Sequence, residues 1–307
     1  MDNKQINLLT IVRNIIDGKE TIDQKLINER AIKKAKENGF NPTAMFNFET
    51  RNVITNPITN EEETPQFSKD SDVTRILENV VYYPNCTNNL RVPFVNYDGI
   101  EWGYPFTSNN TTIESEKLHG HVLGATIEIS LSTLHGNDNF LAEFEKTIMK
   151  AMWQKLISTM FSTQQGRDDY DIPSGLFYNR PCTTITDVET LASIQYNVDK
   201  NSDNAIFLIS PKAKQQLNKM HSQTPIFDGG KLLNSDVLFS SLVEDGYLCY
   251  VDLSKIVVTE FGVMGIDIDN ATRKSDGKVR LIISGFFDFA IASDDFIKVA
   301  KFEDNNG

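Results

Sequence analysis

The sequence predicts an α+β fold in which strands pack around one long helix and a second, α/β segment is inserted among them. Three observations predict it. Residues 121–131 alternate like a half-buried strand, residues 138–162 have the apolar spacing of a long helix, and strand-like runs return between residues 247 and 302. These last strands need partners distant in sequence, most simply the strand at 121–131, so the residues between them are predicted to form an inserted domain.

Length and composition are those of a soluble globular protein. The chain has 307 residues, of which 40% are hydrophobic and 23% are charged. No apolar run approaches the ~20 residues of a membrane span, and the N-terminus lacks the pattern of a signal peptide. We therefore expect a protein made and kept in the cytosol, with no membrane partner.

The net charge of −12 argues against general binding to nucleic acid, because neutralising phosphates takes a basic surface. It does not exclude a protein that encloses nucleic acid without adhering to it. The three cysteines, Cys86, Cys182 and Cys249, are odd in number and far apart. This spacing predicts neither a disulfide framework nor a zinc site, and we expect buried free thiols.

The N-terminal region is predicted to be helical and then extended. Apolar residues recur at helical spacing over 6–16, and a second helix begins at the capping box of Thr21 and ends near Gly39. Residues 47–75 are polar and contain two prolines, so we expect an extended arm there rather than a part of the core.

The central strand and helix are the clearest elements. Leu123, Ala125 and Ile127 alternate with polar residues, so one face of this strand is predicted to be buried. The helix at 138–162 carries two apolar stripes and would be about 40 Å long. Two stripes mean that it packs on more than one side, like a spine.

A hairpin rich in aromatic residues is predicted before that strand. Asp98-Gly99 lies between two β-rich runs and is a strong turn signal. A two-stranded hairpin is marginal alone in water, and exposed rings need a partner surface. The rings either fold back on their own domain or contact another molecule, and the residues alone leave both open. The aromatic residues are Phe94, Tyr97, Trp102, Tyr104 and Phe106.

The middle of the chain predicts helices and a buried strand. The capping box Thr186-Asp187-Val188-Glu189 opens a helix that ends near Val198. Residues 204–210 form a short buried strand, after which Ser210 caps a helix with Pro211 at its first position.

Evidence for chemistry is weak. His119 and His121 would share one strand face, but no further histidine or cysteine is near in sequence, so no metal site is predicted. Asp168, Asp169 and Asp171 have the ligand type for a hard cation, but a solvated loop after the helix is the favoured interpretation. The sequence has neither a phosphate-binding glycine loop nor a G-x-S-x-G elbow. We predict no catalytic residue, no cofactor and no enzyme.

Several stretches carry a resemblance by their order and spacing. Together they resemble tailed-bacteriophage major capsid proteins of the Hong Kong ninety-seven fold, over roughly residues 76–303. "IPSGLFYN" is similar to the turn that follows the spine helix in such proteins, which implies that it is a structural joint. The other stretches are "RVPFVNYDGIEWGYPF", "KLHGHVLGATIEISLSTL", "DNFLAEFEKTIMKAMWQKLISTMFS", "NAIFLISPKAKQQLNKM" and the closing "GYLCYVDLSKIVV" to "FIKVAKF".

The resemblance implies a division of the chain into named parts. The hairpin corresponds to an extension loop, and a peripheral domain holds the spine helix at 138–162. The implied segments are an N-terminal helical segment and possible scaffold-like propeptide at 1–50, an N-arm at 51–88, the extension loop at 89–118, the peripheral domain at 119–199, the axial domain at 200–262 and return strands of the peripheral domain at 263–307.

The implied function is self-assembly. Copies of the chain would form pentamers and hexamers of an icosahedral head around double-stranded DNA, assembled in the host bacterial cytoplasm and retained in the virion. The partners would be the chain itself, a portal, and a maturation protease and scaffold. The hairpin rings Phe94, Tyr97, Trp102, Tyr104 and Phe106 would contact a neighbouring subunit, and a negative inner wall would let packaged DNA slide.

Several alternatives stay open. Residues 1 to about 50 are either a removed scaffold or a retained arm. Lys117 is the only lysine between Lys69 and Lys146, and we expect no isopeptide cross-link from it. Within the same fold, an encapsulin-like compartment holding protein cargo is the alternative. The alternative from another class of protein is an enzyme that uses a divalent ion bound by the acidic residues of 168–171 with His119 and His121.

Overall fold

The computed structural model describes most of the chain from residue 71 onward and a few positions before it. The described residues are Arg13, Ile16, Asp17, 44–46, 54–55, 62–63, 71–86, 90–95, 113–135, 138–167, 172–222, 225–262, 264–269 and 276–303. The helices predicted at 6–16 and after Thr21 lie almost wholly outside them. Among the described helices, none combines the length and apolar character that crossing a bilayer requires.

A six-stranded sheet, here called the long sheet, forms the larger part of the fold. Its strand order is β1–β15–β16–β14–β4, and β7 also pairs with β16. Every pairing is antiparallel except that of β4 with β14. The strands are β1 (Ala44–Phe46), β4 (Val81–Cys86), β7 (His121–Ser130), β14 (Ile256–Phe261), β15 (Met264–Asp269) and β16 (Lys278–Ile291).

The longest strand, β16, joins the long sheet together. Its first ten residues pair with all of β7, from Lys278 opposite Ser130 to Phe287 opposite His121. This confirms the predicted pairing between the strand near 121–131 and the closing strands. Burial alternates along β7 and along the first half of β16, as expected for two strands with one face on the core.

The long helix α3 (Asp138–Met160) packs on this sheet, as its two apolar stripes predicted. Trp153 is only 1% exposed. Its ring lies edge-on to Phe287 and to Tyr82, with centroid distances of 6.1 and 5.8 Å. Edge-to-face pairs of this kind stabilise a core beyond the area they bury. The short helix α2 (Leu131–Leu134) connects β7 to α3.

Residues 72–77 correct the prediction of an extended arm over 47–75. They form helix α1, in which Ser71 caps the N-terminus by accepting a hydrogen bond from the Thr74 N–H. Val73 and Ile76 are buried beside α3 in the main core. The physical reason is that these apolar residues, although few, have helical spacing and a cap. Residues 54–55 and 62–63 pair as strands β2 (Ile54–Thr55) and β3 (Glu62–Glu63).

A second sheet of five strands has the order β12–β9–β13–β17–β8. Helix α5 (Pro211–His221) is capped by Ser210, as predicted, whereas helix α4 (Val188–Asp199) is capped by Asp187 and not by Thr186, the first residue of the predicted capping box. Leu191 and Leu217 from these helices are buried against the sheet beside Phe207. The strands are β8 (Cys182–Ile185), β9 (Ile206–Ile209), β12 (Val237–Phe239), β13 (Tyr247–Val251) and β17 (Ile297–Phe302), and a two-stranded ribbon of β10 (Phe227–Asp228) and β11 (Lys231–Leu232) lies between β9 and β12 in sequence.

The predicted segment boundaries do not coincide with the two sheets. Strand β14, inside the predicted segment 200–262, belongs to the long sheet. Strand β8 and strand β17, from the segments 119–199 and 263–307, belong to the five-stranded sheet. The cause is hydrogen bonding between distant strands: β17 pairs residue by residue with β13 and with β8, and a sequence segment does not reveal that pairing.

The two sheets share one apolar core. Leu208 and Val299 of the five-stranded sheet belong to the same buried cluster as Trp153 of α3 and Phe287 of the long sheet. Helix α3 therefore belongs to a core to which both sheets contribute residues.

We expect Trp153→Ala to lower the free energy of unfolding by about 3–5 kcal/mol, because it leaves a large cavity between α3 and the long sheet. Urea denaturation followed by far-ultraviolet circular dichroism measures this. Lys150→Ala, on an exposed position of the same helix, is the control and should change the free energy of unfolding by less than about 0.5 kcal/mol. Equal losses in the two variants would contradict the packing described.

Candidate functional site

A two-stranded ribbon marks the base of the predicted hairpin. Strands β5 (Leu90–Val95) and β6 (Ile113–Leu118) pair antiparallel, from Leu90 opposite Leu118 to Val95 opposite Ile113. The partner of β5 is thus residues 113–118 and not the run directly after Gly99, which corrects the expected tight pairing around Asp98-Gly99. That turn lies outside the described residues.

Four of the five aromatic residues predicted to contact a neighbouring subunit lie outside the residues that the structure describes. The backbone of Phe94 lies in β5 opposite Glu114. Tyr97, Trp102, Tyr104 and Phe106 lie outside the described residues, in the stretch 96–112 that connects the two strands. Their role in a subunit contact stays a prediction.

The ribbon is anchored to the long sheet at its base. Leu118 is buried in a small cluster with Val257, Phe261 and Ala290, and Leu90 packs against the same cluster. The last pair of the ribbon, Leu90 with Leu118, is therefore held by β14 and β16. The connection 96–112 begins and ends at the opposite end of the ribbon.

The stretch "IPSGLFYN" is a joint at the end of α3, as the sequence indicated. The last carbonyl groups of a helix have no partner within the helix. Here the joint supplies the hydrogen-bond donors for this end of the helix. The Leu176 N–H donates to the Met160 carbonyl at 2.8 Å, and the Phe177 N–H donates to the Ser162 carbonyl at 3.1 Å. The chain thereby turns back against the helix before it enters β8.

Glu244, which follows β12, ties the same helix end to the five-stranded sheet. Its backbone N–H donates to the Phe161 carbonyl at 3.0 Å. Its carboxylate accepts hydrogen bonds from the backbone N–H of Thr163 and, at 2.9 Å, from the Thr163 hydroxyl. Sequence reasoning missed Glu244, because it is 81 residues away from Thr163 and has no local motif. The joint and Glu244 therefore attach the end of the helix to segments that flank the five-stranded sheet.

The residues on either side of the acidic stretch 168–171 pair with each other. Arg167 and Ile172 exchange backbone hydrogen bonds of 2.9 and 3.0 Å. Asp168, Asp169 and Asp171 themselves are outside the described residues. Ile172 and His121 line one cavity of about 140 Å³, so the residue directly after the acidic stretch and the start of β7 share a surface.

His119, His121 and Asp288, here called the histidine–aspartate cluster, meet where β6 passes into β7. One ligand atom of each residue lies within 4.8 Å of those of the other two. The Asp288 carboxylate accepts from the backbone N–H of His119 at 2.9 Å and from that of Phe289 at 2.8 Å. Burial raises the pKa of Asp288, and these hydrogen bonds oppose that rise.

Sequence reasoning considered only histidines and cysteines that are near the two histidines in the chain. The third residue is absent from the neighbouring sequence but is supplied by β16, 169 residues from His119. The pairing of β7 with β16 was predicted, but its register was not, and the register decides which residue of β16 lies beside His121.

The cysteines correct a further prediction. Cys249 is buried in β13, and its burial raises the pKa of the thiol. Cys86 is only partly buried, and Cys182 is exposed on β8. The expectation of buried thiols is wrong for Cys182 because β8 is the last strand of its sheet, where one side of a strand remains open.

Comparison with known proteins identifies the fold. No protein-family model and no curated protein matches the chain. Among solved structures, the capsid of an empty GTA particle is 14% identical, with a TM-score of 0.56 over 76% of this chain and 90% of that chain. The satellite phage P4 procapsid, including the size determination (Sid) protein, is 11% identical, with a TM-score of 0.52 over 74% of this chain and 94% of that chain.

An encapsulin complex has a similar TM-score. The holo-SrpI encapsulin complex from Synechococcus elongatus is 12% identical, with a TM-score of 0.53 over 77% of this chain and 89% of that chain. These likenesses show that the chain has the Hong Kong ninety-seven capsid fold, which the resemblance of its sequence motifs implied. At such identities they show the fold alone.

We expect Gly175→Ala to destabilise the joint, because a Cβ at this position would lie 2.1 Å from the Ser162 carbonyl oxygen. The expected loss in the free energy of unfolding is about 1–3 kcal/mol or more, measured by urea denaturation. The control is Asn179→Gly in the same joint: Asn179 has a φ of 58°, which glycine adopts without strain, so a change below about 1 kcal/mol is expected. A free energy of unfolding that Gly175→Ala leaves unchanged would contradict the close approach of residue 175 to Ser162.

Proposed function

We propose that the chain is the subunit of a closed protein shell. The observation that carries this is the fold: the long helix, the long sheet and the five-stranded sheet together match chains from assembled capsids over 74–81% of this chain. These neighbours are structural proteins, and we propose a structural rather than a catalytic role for this chain. Its main partner is then another copy of itself.

The hairpin supports this proposal by its construction. It is held at its base by Leu118, while its connection 96–112 carries Tyr97, Trp102, Tyr104 and Phe106. A two-stranded ribbon is marginal by itself in water, and large rings in such a ribbon bury their surface against something. A neighbouring copy provides this surface. Each copy in turn receives the hairpin of another, which is a heterologous contact that closes into rings.

The outer face of the long sheet supports a second contact between copies. Val122 on β7 is 50% exposed and Ile282 on β16 is 39% exposed, and both lie on the face away from α3. In this proposal an adjacent subunit covers these exposed apolar side chains.

The finer assignment is the head of a tailed bacteriophage, retained in the virion and assembled in the host cytoplasm around double-stranded DNA. One of the neighbours is the procapsid of satellite phage P4, and this likeness supports the assignment. The net charge of −12 suits a container whose inner wall does not hold phosphate. Portal, maturation protease and scaffold are further proposed partners. Residues 1 to about 50 are either removed or retained, and Lys117 forms no cross-link.

The alternative is an encapsulin-like compartment that holds protein cargo. The likeness to the holo-SrpI encapsulin favours it, because its TM-score of 0.53 is within 0.03 of that of the GTA capsid at 0.56. The two functions share the shell and differ in what the shell contains.

We expect the purified full-length chain to form shells or capsomer rings, visible by negative-stain microscopy and sedimentation. Replacing residues 96–112 with a two-residue Asn-Gly turn between β5 and β6 should abolish assembly and leave a folded monomer with unchanged circular dichroism. Tyr196→Ala is the control, since it removes a ring that is 64% exposed on α4, away from the hairpin. Shells from the shortened chain would contradict the role of the hairpin, and a full-length chain that stays monomeric at high concentration would contradict the proposal.

The contents distinguish the two shells. Particles isolated from the cells that encode the chain and treated with nuclease should release protected double-stranded DNA, measured by phenol extraction and electrophoresis. Particles that hold a stoichiometric second protein and no protected DNA would refute the bacteriophage assignment and leave the compartment.

A further inference from the structure

The histidine–aspartate cluster lies outside every contact used in the shell proposal. The imidazole centroids of His119 and His121 are 4.3 Å apart, and His119 Nδ1 lies 4.0 Å from Asp288 Oδ2. In a tetrahedral site with metal–ligand bonds of about 2.1 Å, neighbouring ligand atoms are about 3.4 Å apart. The three ligand atoms, which lie within 4.8 Å of one another, would therefore approach by up to about 1.4 Å to bind one ion.

The surrounding structure already orients these groups. Both oxygens of Asp288 are positioned by backbone N–H groups, one from Phe289 and one from His119. His121 is buried, whereas the His119 side chain is 56% exposed and leaves a path from solvent. Gly120 between them could not carry a side chain, because a Cβ there would lie 2.8 Å from the Phe286 Cβ. The close approach of β7 to β16 at this point thus depends on glycine.

We propose that His119, His121 and Asp288 bind a divalent transition-metal ion, with Zn²⁺ as the best match. Two imidazole nitrogens and one carboxylate oxygen form a donor set that zinc, cobalt and nickel accept, whereas magnesium and calcium prefer oxygen ligands alone. Three protein ligands leave a fourth position for water. The buried carboxylate supplies a negative charge that the ion offsets.

The position of the site gives the ion a structural role. His119 directly follows β6, the second strand of the hairpin ribbon, and Asp288 lies on β16 of the long sheet. An ion bound by both residues fastens the base of the ribbon to the sheet, in addition to the packing of Leu118. This inference goes beyond the proposed shell and does not depend on assembly.

The test is titration of the full-length chain, first freed of metal with a chelator, with Zn²⁺ in a calorimeter and with Co²⁺ in a spectrophotometer. We expect one ion per chain and the visible d–d bands of four-coordinate Co²⁺. Saturating Zn²⁺ should also raise the melting temperature, because an ion that binds only the folded state stabilises it. His119→Ala should weaken Zn²⁺ binding about tenfold or more and remove the rise in melting temperature.

Two further variants make the outcome specific. His135→Ala is the matched control, since this exposed histidine lies after β7 beside Asp17 and not in the cluster, and it should bind Zn²⁺ like the unaltered chain. Asp288→Asn keeps the size of the side chain but loses the charge, and it should bind as weakly as His119→Ala. Absence of binding to the unaltered chain, or equal affinity in His119→Ala and His135→Ala, would overturn the proposal, even if the chain forms shells.

Discussion

The antiparallel pairing of β7 with β16 is the constraint on which the rest of the structure depends. The two strands are paired over ten residues of β16 but lie more than 140 residues apart in the chain. Everything between them, including α3 and most of the five-stranded sheet, is bounded by this pairing. The same ladder fixes one face of β16 on α3 and sets Asp288 beside the two histidines. A one-residue slip of β7 along β16 would move the core-facing side chains of β7 to the opposite face of the sheet.

Helix α3 packs into a single core that it shares with both sheets. The long sheet packs on it through Trp153 and Phe287, and the five-stranded sheet joins the same cluster through Leu208 and Val299. The carbonyl groups at its C-terminal end accept hydrogen bonds from the joint and from Glu244, so this end is attached to segments that flank strands of the five-stranded sheet. The base of the hairpin packs on β14 and β16 of the long sheet, which sets the direction in which the ribbon leaves the sheet.

The sequence predicted the parts that depend on local patterns. The alternation of β7, the stripes of α3, the helix after residue 186 and the cap Ser210 all depend on residues close to one another in sequence. What it missed depends on pairing across the chain. The placement of β14, β8 and β17 in their sheets is set by hydrogen bonds between distant strands. Asp288 and Glu244 reach their sites through contacts between residues that are distant in sequence, which no local motif predicts.

Cys182 and residues 72–77 were misjudged for different reasons. Cysteine is one of the residue types most often buried, but residue type alone does not show that β8 is the last strand of its sheet. The polar surroundings of residues 72–77 hid the spacing of Val73 and Ile76 and the cap at Ser71.

The most direct test of the central claim is a cryo-electron microscopy map of the assembled particle, at a resolution that traces residues 96–112. The account predicts that the rings of this connection lie on the surface of an adjacent subunit, in every subunit of the shell. Density that places them against the body of their own chain, with subunits held together elsewhere, would contradict it.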